Sequence, residues 1–121
     1  MVEAVGWDMY DPRLTVKGTC SDALEIGWCA FIHTDGLIYY SGSTQTVHGC
    51  ALKEAASGDE VTLVTHGRLR MVTAQNKGVV VKGPTSGSGS PPDDGLTGKI
   101  CGYSIEEYLI FVHIGEDCYG S

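Results

Sequence analysis

The sequence predicts an all-β chain: a small β-barrel or β-sandwich of short antiparallel strands, with an extended N-terminal arm. Three observations carry this. Seventeen of the 121 residues are glycine, about twice ordinary usage, and they are scattered singly, as turns and bulges require. One segment, Trp28 to Tyr40, reads as a β-hairpin. A pattern of apolar strand, acidic turn and strong strand occurs twice. At 42% hydrophobic residues the chain can bury one core, and its length suits one domain.

The boundaries follow from the elements in order. Residues 1–19 have weak periodicity, interrupted by Gly6, Pro12 and Gly18, and read as an arm or edge segment. Trp7, Met9 and Tyr10 are its apolar anchors, facing either a neighbouring subunit or their own domain. Residues 20–115 form the β-domain. Within it, Trp28-Cys29-Ala30-Phe31-Ile32-His33 is a strand and Asp35-Gly36 a turn that tolerates positive φ. Leu37-Ile38-Tyr39-Tyr40 returns. Val47 to Leu52 is strand-like, and Lys53 to Ala56 is too short to hold a helix. Ser57-Gly58-Asp59 turns the chain. Glu60 to His66 is a strand that Gly67 is expected to break before a second, Arg68 to Thr73.

Val79 to Val81 is a short β-branched strand. The Gly-, Ser- and Pro-rich stretch 83–95 has the composition of a flexible, exposed loop. Gly98 to Ser104 and Tyr108 to Ile114 are the last strands, and 116–121 is a tail. The repeat aligns Gly49-Cys50-Ala51-Leu52-Lys53-Glu54 with Gly102-Tyr103-Ser104-Ile105-Glu106-Glu107. It then aligns Glu60 to Gly67 with Tyr108 to Gly115. Two related strand–turn–strand units would cover each other's apolar faces.

Charge narrows the function. Fifteen acids against eight bases leave a net charge of −7, too acidic for sequence-independent nucleic-acid binding or for an anionic membrane surface. Met1-Val2-Glu3-Ala4 lacks the basic start and apolar core of a signal peptide, so synthesis and folding in a cytoplasm are expected. The five cysteines are odd in number and widely spaced; reduced, mostly buried thiols are expected.

The search for chemistry returns little. His48 and Cys50 would share a strand face, but no orienting group or nucleophile signature accompanies them. A buried pair is the plainer reading. Cys50, Cys101, His48, His66 and His113 could gather around a metal if the repeats packed face to face, yet the close-spaced ligand pairs of a zinc site are missing. Asp93-Asp94-Gly95 lacks a calcium loop's alternating acids and reads as a solvated loop. Ser86 to Ser90 lacks the lysine and helix of a phosphate cradle. Arg68 and Arg70 form a same-face basic pair, suited to an acidic partner surface or simply to water. No cofactor, metal or enzymatic activity is expected.

The run Val47 to Gly67 resembles the small capsid decoration, or cement, proteins of tailed bacteriophages. They show a Gly-x-Ala-Leu segment, an Ala-Ala-x-Gly-Asp turn and a Val-x-Val strand closed by Gly. The Trp28 to Tyr40 hairpin and the Gly98-Lys99-Ile100-Cys101-Gly102-Tyr103-Ser104 segment resemble their flanking parts, so the resemblance covers about residues 22–115. The 83–95 loop, the five cysteines and the closing Glu116-Asp117-Cys118 depart from it.

The resemblance implies a structural virion protein on the outer surface of a phage capsid. It would bridge neighbouring major capsid protein subunits, as a homotrimer whose modest contacts act together. Trp7, Met9, Tyr10, Arg68 and Arg70 would be the interface candidates. The alternatives are a small β-barrel binding module of a phage tail or fibre, recognising a virion protein or glycan, and, more weakly, a metal or thiol enzyme.

Overall fold

The computed structural model describes residues 2–7, 14–42 and 46–115. The interface candidates Met9 and Tyr10, the tail 116–121 and Cys118 lie outside them. The strands are β1 (Ala4–Trp7), β2 (Leu14–Thr19), β3 (Cys29–Ile32), β4 (Ile38–Tyr40), β5 (Gly49–Ala51), β6 (Glu60–Met71), β7 (Val80–Lys82), β8 (Ile100–Glu106) and β9 (Leu109–His113). No described residue is helical, and all named strand pairs are antiparallel. The all-β expectation holds: one curled sheet runs β4-β3-β5-β6-β9-β8-β7, with β1 and β2 added on β6.

The long strand β6 organises the molecule. Val64 stands opposite both Thr15 of β2 and Cys50 of β5, and Leu69 opposite both Trp7 of β1 and Ile110 of β9. One edge of β6 therefore carries β2 and then β1, and the other carries β5 and then β9. Residues 4–7 and 14–19 are thus strands of the domain. Of the two readings open for this arm or edge segment, docking on a neighbour or packing on its own domain, the described strands take the second and complete the sheet. The apolar residues at positions 5, 7, 14 and 16 had no clean period because two short strands, with residues 8–13 between them, share the stretch.

Gly67 does not break β6. It sits in mid-ladder opposite Val112. The irregularity lies two residues earlier: Leu14 pairs with His66 and Thr15 with Val64, so Thr65 is one residue too many. Its carbonyl accepts the N–H of Ile114 (2.9 Å). One extra residue exchanges the faces of everything beyond it. Val61 and Leu63 accordingly pack with Cys20, Leu24, Ala30, Ile38 and Ala51. Val64, Leu69 and Met71 pack on the other side with Trp7, Cys29, Cys50, Val81, Cys101, Ile110 and Val112.

Two half-sheets result. In β3, β5 and the first half of β6 both faces are buried, so Cys29 and Cys50 enter one core and their neighbours Ala30 and Ala51 the other. In β7, β8, β9 and the second half of β6, one face is buried. The opposite face, which would continue the second core, is open.

The hairpin forms as expected, with Phe31 opposite Tyr39 and Gly36 at φ +85°. The two repeat units do fold as antiparallel pairs, but out of step. Cys50 faces Val64, whereas its counterpart Tyr103 faces Phe111 rather than Val112.

The 83–95 stretch departs most from expectation. Residues 85–88 and Gly95 are exposed, but Gly83, Pro84, Ser90, Pro91, Pro92 and Asp93 are buried. The Ser90 carbonyl accepts the N–H of Cys29 (2.8 Å), and Lys82 and Asp93 exchange both backbone hydrogen bonds (3.0 Å each). Two prolines lack donors to satisfy and present apolar rings, which suits them to the core wall. Asp93 is held by the Gln75 side-chain amide (2.6 Å) and the Gly95 N–H (2.9 Å), and the Gln75 carbonyl oxygen accepts the Asp94 N–H (2.9 Å). It is an anchor inside the fold, not part of a solvated acidic loop.

Candidate functional site

The open face of the second half-sheet is the candidate site. Its central row follows from register: Val80 faces Tyr103, Tyr103 faces Phe111, and Phe111 faces Arg68. The next row pairs His113 with His66. The Tyr103 and Phe111 rings lie 5.6 Å apart, Phe111 and His113 6.0 Å, and His113 and His66 4.5 Å, so these groups form one continuous surface. Tyr103 is 48% and Val80 39% exposed. A surface with two aromatic rings and a β-branched residue laid side by side is the kind proteins cover with a partner.

Arg68 and Arg70 belong to this face. They flank the fully buried Leu69, so strand alternation points both outward; Arg70 is exposed and Arg68 half-buried among its neighbours. Two of the chain's three arginines thus stand on one face of an acidic protein. Burial and the neighbouring His113 hold the His66 imidazole below its ordinary pKa, and the Thr65 hydroxyl lies 3.0 Å from its Nδ1. The two arginines give the face positive charge.

Trp7 does not belong to it. It is 8% exposed, packs in the core and donates its indole N–H to the Ala51 carbonyl (3.0 Å). A large apolar ring near the N-terminus drew it into the interface set, but pairing with Leu69 turns that ring inward. Sequence reasoning also missed Tyr103 and Phe111. Each looked like an ordinary strand residue, and only the exchange of faces at Thr65 shows which side stays open.

The groups weighed for chemistry are dispersed. The His48 Nδ1 accepts the Ile32 N–H (2.8 Å), and burial lowers its pKa. Cys50 lies in the core with its Sγ 4.0 Å from that of Cys29, and Cys101 is in the same core. His66 and His113 sit on the other face of the sheet, so the five residues do not converge. Among the described residues, no three His, Cys, Asp or Glu side chains are grouped to hold a metal ion.

No family model matches the chain, and no curated protein does. Among solved structures, the backbone is similar to the head fibre gp8.5 N base of bacteriophage phi29. The TM-score is 0.52 and the identity 15%, over 86% of this chain and 95% of that chain. At that identity the likeness is one of fold, and it spans nearly the whole of both chains.

Proposed function

We propose that this chain is a structural component of a phage virion that binds the outer surface of the head and stabilises it by bridging neighbouring major capsid protein subunits. The observation that carries this reading is the fold shared, almost end to end, with the base of a phage head fibre. Residues 22–115, which resemble cement proteins, contain both halves of the sheet and support it further. The open face of Val80, Tyr103, Phe111, Arg68 and Arg70 is the gripping surface. Its rings supply buried area and its arginines engage acidic groups on the shell. As a homotrimer the protein would present three such faces, and their modest affinities would combine. The role is mechanical and uses no catalytic step.

The test is sedimentation with expanded, undecorated heads. The protein should pellet with them and saturate at a fixed ratio to the capsid protein. A second reading, a binding module of a fibre, draws on the same comparison, because the neighbour is a fibre's base. Immunogold labelling of virions separates them: label spread over the head supports decoration, and label confined to fibres supports the second.

A further inference from the structure

A second feature lies away from the open face. The segments around Leu24 and Ala55 form an isolated antiparallel bridge with both hydrogen bonds made, Leu24 N–H to Ala55 O and Ala55 N–H to Leu24 O, each 2.9 Å. In that register Glu25 stands opposite Glu54. Like charges directly opposite across a strand pair destabilise it. Among the described residues neither glutamate makes an ion pair, and both are exposed.

The indole of Trp28, packed against the second core, lines the same cleft as these two glutamates. Residues 25–28 make a tight turn, closed by the Trp28 N–H on the Glu25 carbonyl (3.1 Å), with Gly27 at φ +81° supplying the left-handed position. Trp28 is fixed on two sides. Tyr40 meets it edge-on at 5.9 Å. Gly89 lies so close that a Cβ there would fall 2.2 Å from the indole ring. What remains uncovered is a cleft of about 390 Å³, lined by Leu24, Glu25, Trp28, Glu54, Ala55 and Ala56. That is within the roughly 300–1,000 Å³ range of ligand sites. No lysine or arginine lines it. Lys53 borders the neighbouring hollow with Leu52 and Glu60.

We propose that this cleft binds an arginine side chain presented by a partner protein. A planar guanidinium can stack on the indole while its edge N–H groups reach the two carboxylates. It sets a positive charge beside the two carboxylates, which a neutral sugar does not. The Gly89 contact gives the loop a role: it packs against the ring and helps hold it in place.

The test uses the full ¹⁵N-labelled chain, titrated with N-acetylarginine amide at constant ionic strength. The Trp28 indole N–H signal should shift saturably. The Trp7 indole signal, held in the core, should not move and serves as the folding control. The Glu25→Gln/Glu54→Gln double variant should bind about tenfold more weakly, and N-acetyllysine amide more weakly than the arginine compound. An unsaturable drift overturns the proposal, as does equal affinity in the double variant. So does a Trp28 shift produced by a neutral disaccharide and not by arginine. The cleft does not depend on the head-binding reading: saturable arginine binding by a protein that ignores heads leaves this proposal standing and removes the other.

Discussion

The indole N–H of Trp7 donates to the carbonyl of Ala51 at 3.0 Å, across 44 residues of sequence. Trp7 sits on β1 and Ala51 on β5, at opposite edges of β6, so the bond ties the start of the chain to the first core-forming half of the sheet.

It follows that the N-terminal segment is structural. Trp7→Phe should lose the hydrogen bond and about 1 kcal/mol of stability. Trp7→Ala should lose about 3–5 kcal/mol, and removal of residues 1–12 should lower Tm sharply. Urea unfolding followed by circular dichroism reads all three. An unchanged midpoint on truncation would place Trp7 outside the cooperative unit.

The Gln75–Asp93 pair fixes the Pro91-Pro92 wall. Gln75→Ala leaves a buried carboxylate without its 2.6 Å donor and should cost about 1–3 kcal/mol. Asp93→Ala should cost a similar amount, and the double substitution clearly less than the sum, since the two share one interaction. A double-mutant cycle in urea measures the coupling.

Gly102 permits a close approach between β8 and β9. At φ +150°, a Cβ there would lie 1.9 Å from the Phe111 carbonyl oxygen. Gly102→Ala must part β8 from β9 and should exceed about 4 kcal/mol. The expected outcome is loss of soluble, folded protein, read by expression yield and far-ultraviolet circular dichroism.

Acidification should destabilise the protein through His48 and His66. Both are held below the ordinary imidazole pKa of 6.5, His48 by burial, His66 by burial and then by His113. A group whose pKa is depressed on folding gives stability that is present above its unfolded pKa and lost as pH falls through the folded one. Melting temperatures should therefore fall as pH drops below about 6.5. His113→Gln should raise the His66 pKa, measured by proton NMR of the imidazole signals.

The Trp28–Tyr40 hairpin was legible because its signals are local: a β-rich run, Asp35-Gly36 at the turn, and a return strand. The open face was not. Val61, Leu63, Leu69 and Met71 keep one parity along the sequence, which reads as a single buried side. Yet the extra residue at Thr65 sends the first two and the last two to opposite faces. Composition misled at Pro91 and Pro92, whose loop-like neighbours concealed a buried wall. Arg68 and Arg70 were legible as a same-face pair because two-residue spacing survives wherever the local strand is regular. Their aromatic neighbours Tyr103 and Phe111 come from other strands, and only the ladder reveals them.

The most direct test of the head-binding role is a saturation curve on expanded, undecorated heads, with wild type compared against Tyr103→Ser/Phe111→Thr. Wild type should saturate at a fixed ratio to the capsid protein. The variant, with the open face stripped of both rings and the core untouched, should bind at least about tenfold more weakly. Failure of the wild-type protein to sediment with heads would contradict the account, and equal binding by the variant would remove this face as the grip.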